Sequence, residues 1–175
     1  MDWVCGPNEA MLRAWFTATL ALSESLPDAR RYAAARGDEL LASAVLSPPS
    51  QKPGVSRQLR WLLATGRACG WRCVQRTLRY LRATEPLKPS GHWTLEFIGV
   101  ASQARGQGLA RVLLERIERS VPGAPLFLTT ADPRNVPMYR HLGFIERHAL
   151  ELDGLSITAM TRAPRDAEEP DTRRP

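Results

Sequence analysis

The stretch Trp93-Thr-Leu-Glu-Phe-Ile-Gly-Val-Ala-Ser-Gln-Ala-Arg-Gly-Gln-Gly-Leu-Ala-Arg-Val-Leu-Leu-Glu-Arg-Ile-Glu118 decides how the rest of the chain reads. Trp93 to Val100 is rich in aromatic and branched apolar residues, which predicts a buried strand. From Gly108 onward Leu109, Val112, Leu113 and Ile117 form one stripe, with Arg111, Glu115, Arg116, Glu118 and Arg119 mostly off it, so the period becomes helical. The junction, Arg105-Gly106-Gln107-Gly108-Leu109-Ala110, is a glycine-bearing loop that runs into a helix N-terminus. The first turn of a helix has unpaired N–H groups and partial positive charge, and both attract anions. Gly106 and Gly108 let a phosphate approach the backbone, and Arg105 adds a charge with bidentate reach. An ordinary strand-to-helix turn would also use two glycines, so the loop alone does not decide between the two readings.

Downstream, Pro125 to Thr130 is a short apolar run that reads as the next strand, parallel to the first through a right-handed helical crossover. In Ala131-Asp-Pro-Arg-Asn-Val-Pro-Met-Tyr-Arg-His-Leu-Gly-Phe144, Asp132 is placed to cap a helix with Pro133 at its first position. Gly143 suits the helix end, and Phe144 opens another strand. Asp153-Gly154 joins Ile145–Leu152 to Leu155–Arg162 as a hairpin.

Together these two segments resemble the acyl-CoA site of the Gcn5-related N-acetyltransferase (GNAT) superfamily over residues from about 28 to 162. That family's motif of Arg or Gln, two residues, Gly, one residue, Gly or Ala is filled by Arg105, Gly108 and Ala110. Its second motif is matched by Asn135, Tyr139, Gly143 and Phe144. The missing lysine and Ser/Thr exclude a P-loop, and the glycine spacing excludes the dinucleotide fingerprint. The resemblance implies an α/β (α+β) fold with a mixed, mostly antiparallel central sheet and helices on both faces. It implies acetyl-CoA as co-substrate, no metal, and acetyl transfer to a small-molecule or peptide amine. The pyrophosphate would lie on the amides of Gln107 to Arg111, Leu109 and Ala110 among them, and the pantetheine arm would pair with the backbone of Ile98 and Val100.

An alkylammonium must lose its proton before it attacks a thioester, so a base or water chain is required. Glu96, within the strand, and His92, at its start, are both near enough, and the family's pattern does not choose between them. Glu96 could equally be an exposed strand residue. The resemblance gives Tyr139 the role of protonating the leaving thiolate. Asn135 would bond the pantetheine or stabilise its helix start. An alternative of another class is an acyl-CoA-binding or partner-binding domain without turnover.

At 175 residues, with no long apolar run, the chain suits one domain of residues 1–162 and a charged, proline-rich tail, 163–175, expected to be disordered. No membrane span or signal peptide is expected, and the location expected is cytoplasmic. Cys5, Cys69 and Cys73 read as reduced packing residues. The family's first strand has only Met1 to Pro7 to draw on, so either that strand is missing or the chain starts late. Residues 8–24 read as an amphipathic helix capped by Asn8, and Arg36-Gly37-Asp38-Glu39 as a hairpin turn.

Residues 51–90 carry nine basic side chains against Glu85 alone, a net of +8 in a chain of net +6. They read as a helical insert, Ser56–Thr65 and Trp71–Thr84. In its second helix Trp71, Val74, Leu78 and Leu81 are the expected apolar face, with Arg72, Arg76, Arg79 and Arg82 on another. A solvated face and an acidic substrate or partner both fit. Nucleic acid would ask for aromatics interleaved on the basic face, which are not present. A homodimer remains open.

Overall fold

In a computed structural model of the chain, the described residues are 2–23, 25–49 and 53–164. Of the expected tail, residues 165–175 lie outside them, as do residues 50–52 at the start of the insert.

The elements follow as α1 (Asp2–Cys5), α2 (Glu9–Ser23), β1 (Arg30–Arg36), β2 (Glu39–Ser47), α3 (Val55–Cys69), α4 (Trp71–Thr84), β3 (Trp93–Val100), α5 (Leu109–Ser120), β4 (Leu126–Thr130), α6 (Val136–His141), β5 (Ile145–Leu152) and β6 (Leu155–Arg162). Asn8 caps α2 as expected, its Oδ1 accepting from the Met11 amide at 3.1 Å. The six strands form one sheet in the order β1-β2-β3-β4-β6-β5. Every pairing is antiparallel except β3 with β4, which are joined through α5. No strand precedes Arg30 among the described residues, and Asp2–Cys5 is helical, so the family's first strand has no counterpart there. Asp153 and Gly154 both take positive φ, 50° and 77°, the conformation a two-residue hairpin with the right twist requires.

Leu113, Leu114 and Ile117 of α5 are buried against Leu46, Leu95, Leu126, Leu128 and Met160 on one face of the sheet. Ile117 is wholly buried, and a side chain of that kind contributes about 1.5 to 3 kcal/mol. A second, smaller core lies on the opposite face. There Val4, Cys5, Trp15, Cys69 and Cys73 pack together with Phe16 and Phe97 at their edge. The Phe16 and Phe97 rings meet edge-on at 5.5 Å, which ties α2 to β3. Trp15 and Trp61 each donate their indole N–H to a threonine hydroxyl, Thr77 and Thr19 respectively, so neither buries an unpaired donor.

The insert forms two helices, with two corrections to the sequence reading. Gly66 does not separate them: it sits inside α3 because the Trp71 ring packs on it, 3.3 Å from where a Cβ would stand. The buried face of α4 carries Cys73, Val74, Thr77 and Thr84, whereas Trp71 and Leu81 are exposed. Burial follows the neighbours α4 actually meets, and here sulfur and threonine hydroxyls fill the interface. Thr77 and Thr84 satisfy their hydroxyls by bonding back to the carbonyls of Cys73 and Tyr80.

Candidate active site

Sheet pairing decides where a ligand can enter. β3 and β4 pair only at Trp93 with Leu126 and Thr94 with Phe127. Beyond these residues β3 stays with β2 and β4 with β6, so the two central strands diverge. Register between β2 and β3 slips at this point: Leu46 faces Leu95, while Val45 faces Phe97, leaving Glu96 as the extra residue of a β-bulge. The bulge resets the side-chain alternation of β3. Trp93 and Leu95 before it, and Ile98 and Val100 after it, all pack on the α5 core. Ile98 and Val100 thus lie in the stretch of β3 that has no partner on its β4 side.

At the C-terminal end of β3 the chain turns through a short 3-10 segment, Ser102–Ala104, into the glycine loop. Gly106 and Gly108 hold φ of 77° and 73°, and no atom lies within 4 Å of where a Cβ would be on either. Both glycines therefore meet a left-handed backbone requirement and leave open space above the loop. The Gly108 carbonyl accepts from the amides of Arg111 and Val112 at 3.0 and 3.1 Å, starting α5. Among the described residues, no backbone carbonyl accepts from the amides of Gly106 to Ala110. Donors, dipole and space converge there, which is the chemistry a pyrophosphate asks for. Arg105 is extended and exposed at the loop entrance. Gln107 ties the loop together by donating to the Gln103 carbonyl at 3.3 Å. Arg111, in the first turn of α5, reaches His141 at 3.2 Å across a hollow of about 220 Å³ between α5 and α6.

Arg105→Ala should weaken CoA without eliminating it, because the amides remain and one charge-assisted contact is worth about 1.5 to 3 kcal/mol. Isothermal titration at low salt measures this, and an unchanged affinity would mean that Arg105 points away from the phosphates.

On the other side of the divergence three titratable groups face one another. Tyr80 of α4 shares a hydrogen bond of 2.8 Å with Thr129 of β4. Burial raises its phenol, the Thr129 bond opposes this, and Glu96 adds to it. Burial also raises the Tyr139 phenol, and Tyr80 adds to that. Tyr139 is held edge-on to Phe144, 5.9 Å between centroids. Glu96 is exposed as a residue, yet protein crowds its carboxyl. That enclosure pushes its carboxyl above the ordinary carboxylate range; Ser47 and Lys88 hold it back, and Glu85 adds to the rise. Ser47, whose side chain hydrogen-bonds Glu96, stands opposite Thr94 in register, and the buried Thr94 hydroxyl has no hydrogen-bond partner among the described residues.

Tyr80 was not among the residues the sequence picked out. Its only signal is an aromatic at the helical spacing of Cys73 and Thr77, which reads as packing until β4 is known to lie across from it. The sequence offers two other candidates, His92 and Asn135. His92 has Nδ1 3.1 Å from the Ser90 carbonyl in the turn before β3. Asn135 makes no side-chain cap for α6. Asp132 instead caps the 3-10 turn Pro133–Asn135 that leads into α6, accepting from the Arg134 amide at 3.0 Å and pairing with the Arg134 side chain, which holds its carboxyl down to about 2.

The architecture meets its relatives at this site. The family model described as Acetyltransferase (GNAT) family matches residues 2–144. The chain belongs to the GNAT family. The family is described as acetyltransferases, and acyl-CoA is the co-substrate general to its fold. An uncharacterized N-acetyltransferase of Schizosaccharomyces pombe is 34% identical over 62 residues, 34% of this chain and 25% of the relative, so the match spans a quarter of that protein's length. A crystal structure from Corynebacterium glutamicum, described as histone acetyltransferase HPA2 and related acetyltransferase, shares the GNAT fold with a TM-score of 0.63 at 20% identity. It covers 94% of this chain and 81% of its own. A nourseothricin acetyltransferase is similar at a TM-score of 0.50 and 21% identity, over 79% of this chain and 67% of its own. Among the described residues no helix is long and apolar enough to cross a membrane.

Proposed function

We propose that this GNAT protein moves an acetyl group from acetyl-CoA to a primary amine on a small molecule or peptide, by direct attack of the amine on the thioester. The observation that carries this reading is the divergence of β3 from β4 after Thr94, with an anion-binding loop at one end and Glu96, Tyr80 and Tyr139 beside it.

The amides of Gly106 to Ala110 and the Arg105 charge anchor the phosphates; the Arg111 amide, expected to join them, is taken by the Gly108 carbonyl. The unpaired edge of β3 at Ile98 and Val100 offers backbone groups to an extended arm, as an added strand would use them. Asn135, free of capping duty, supplies a carboxamide from the opposite wall. Holding both substrates between these walls supplies much of the rate through proximity. Glu96 takes the proton from the ammonium, directly or through a water, and its raised basicity suits that task near neutral pH better than an ordinary carboxylate would. Tyr139 stays protonated because burial raises its phenol, so it can give a proton to the departing thiolate. Tyr80, fixed by Thr129, sits between these two groups and keeps the cleft polar.

Release of free CoA thiol from acetyl-CoA over a panel of primary amines tests the proposal. A protein that binds acetyl-CoA but acetylates none of them would favour a binding module instead. The pH profile is a sharper check. Glu96 must be ionised to act, so kcat/KM should fall as pH drops through its pKa, and this limb should lie above the usual carboxylate range. Glu96→Gln should remove the limb and lower the rate by roughly 10² to 10⁴-fold. An unaltered profile would pass the base role to another group.

A further inference from the structure

The chain's cysteines number three, at positions 5, 69 and 73, and the fold brings all of them to one point. Cys5 ends α1, Cys69 ends α3, and Cys73 lies in the first turn of α4. Each is buried, and their sulfurs all lie within 4.8 Å of one another, Cys5 and Cys73 at 3.0 Å. Packing alone is a sufficient reason to bury a cysteine, which behaves as a small hydrophobe. It gives no reason for sulfurs from three helices to converge while the larger core on the other face of the sheet has no cysteine at all.

We propose that Cys5, Cys69 and Cys73 form a three-coordinate thiolate site for one soft, thiophilic cation. The dimensions agree: a cation about 2.3 Å from each sulfur in a trigonal plane holds the sulfurs about 4 Å apart, between the observed limits of 3.0 and 4.8 Å. The donor set selects the class. Thiolates favour soft ions, and among the described residues no histidine or carboxylate joins the group. Zinc, which completes a tetrahedron in structural sites, would lack a fourth side-chain ligand. Binding exchanges each S–H for a sulfur–metal bond, and the three protons leave to the buffer; no electron is transferred. Enclosure raises the Cys69 and Cys73 thiols, so a bound cation must displace their protons. Binding would tie α1 to the α3–α4 pair and steady the helix that carries Tyr80.

Cadmium(II) is the probe. Titration of the reduced, metal-free full chain should give a thiolate-to-cadmium absorption band that saturates at one equivalent, with three protons released in weak buffer. The cadmium NMR shift of the wild-type complex should report three sulfur ligands. Cys5→Ser, Cys69→Ser and Cys73→Ser should each weaken binding roughly tenfold or more, in variants whose circular dichroism is unchanged. Zinc(II) should bind at least tenfold more weakly than cadmium. No saturating band, a shift reporting fewer sulfurs, or equal affinity for zinc would overturn the assignment. Because the NMR reading needs no variant, a serine mutant that fails to fold does not shield the proposal.

Discussion

Gly108→Glu should lower CoA affinity by roughly a hundredfold or more while the protein stays folded. Two effects act together. Gly108 is left-handed at φ 73°, where a residue with a Cβ is strained by about 1 to 3 kcal/mol. The new carboxylate would then project into the open space over the loop and meet a pyrophosphate with like charge. Gly108→Asn separates the two, because asparagine tolerates the left-handed region and carries no charge. The asparagine variant should retain much more affinity than the glutamate. Calorimetry with CoA, alongside a thermal melt, measures both. A folded glutamate variant with wild-type affinity would remove the loop from the site.

Tyr139→Phe should lower kcat roughly tenfold to a thousandfold, with CoA affinity and melting temperature nearly unchanged. The substitution keeps the ring that packs on Phe144 and deletes only the hydroxyl. General acid catalysis typically contributes 10² to 10⁴-fold, and a thiolate near neutral pH needs less help than most leaving groups. A fall in kcat and kcat/KM together marks an interaction made in the transition state. Equal losses in binding and turnover would instead make Tyr139 a structural aromatic. The hydroxyl's raised pKa also predicts that activity persists on the alkaline side up to a pH above the ordinary phenol range. Phenylalanine should abolish that alkaline limb.

Short-range physics made much of this protein legible in one dimension. Glycines at 106 and 108 before an amphipathic stripe specify a loop and a helix start, because positive φ and a 3.6-residue period are local properties. Asp132-Pro133, Gly143 and Asp153-Gly154 likewise fix a cap, a helix end and a hairpin through the few residues each contains. From these elements the mixed sheet, the glycine loop with its helix start, and the family followed.

What the sequence could not supply depends on pairing between distant segments. The bulge at Glu96 exists only because Leu46 and Val45 of β2 register against Leu95 and Phe97, and no local pattern states that register. Tyr80 and Thr129 are 49 residues apart, and only the folded insert brings the phenol to β4. The buried face of α4 was misread for the same reason: hydropathy favours Trp71 and Leu81, but the neighbours that arrived in space were those beside Cys73, Thr77 and Thr84. The cysteines carry the point furthest. In sequence Cys5 stands 68 residues from Cys73, with no ligand spacing to read. Their meeting is a product of three helices packing on one face of the sheet, since chain contacts at that separation are decided by the tertiary fold and not by any local preference of the backbone.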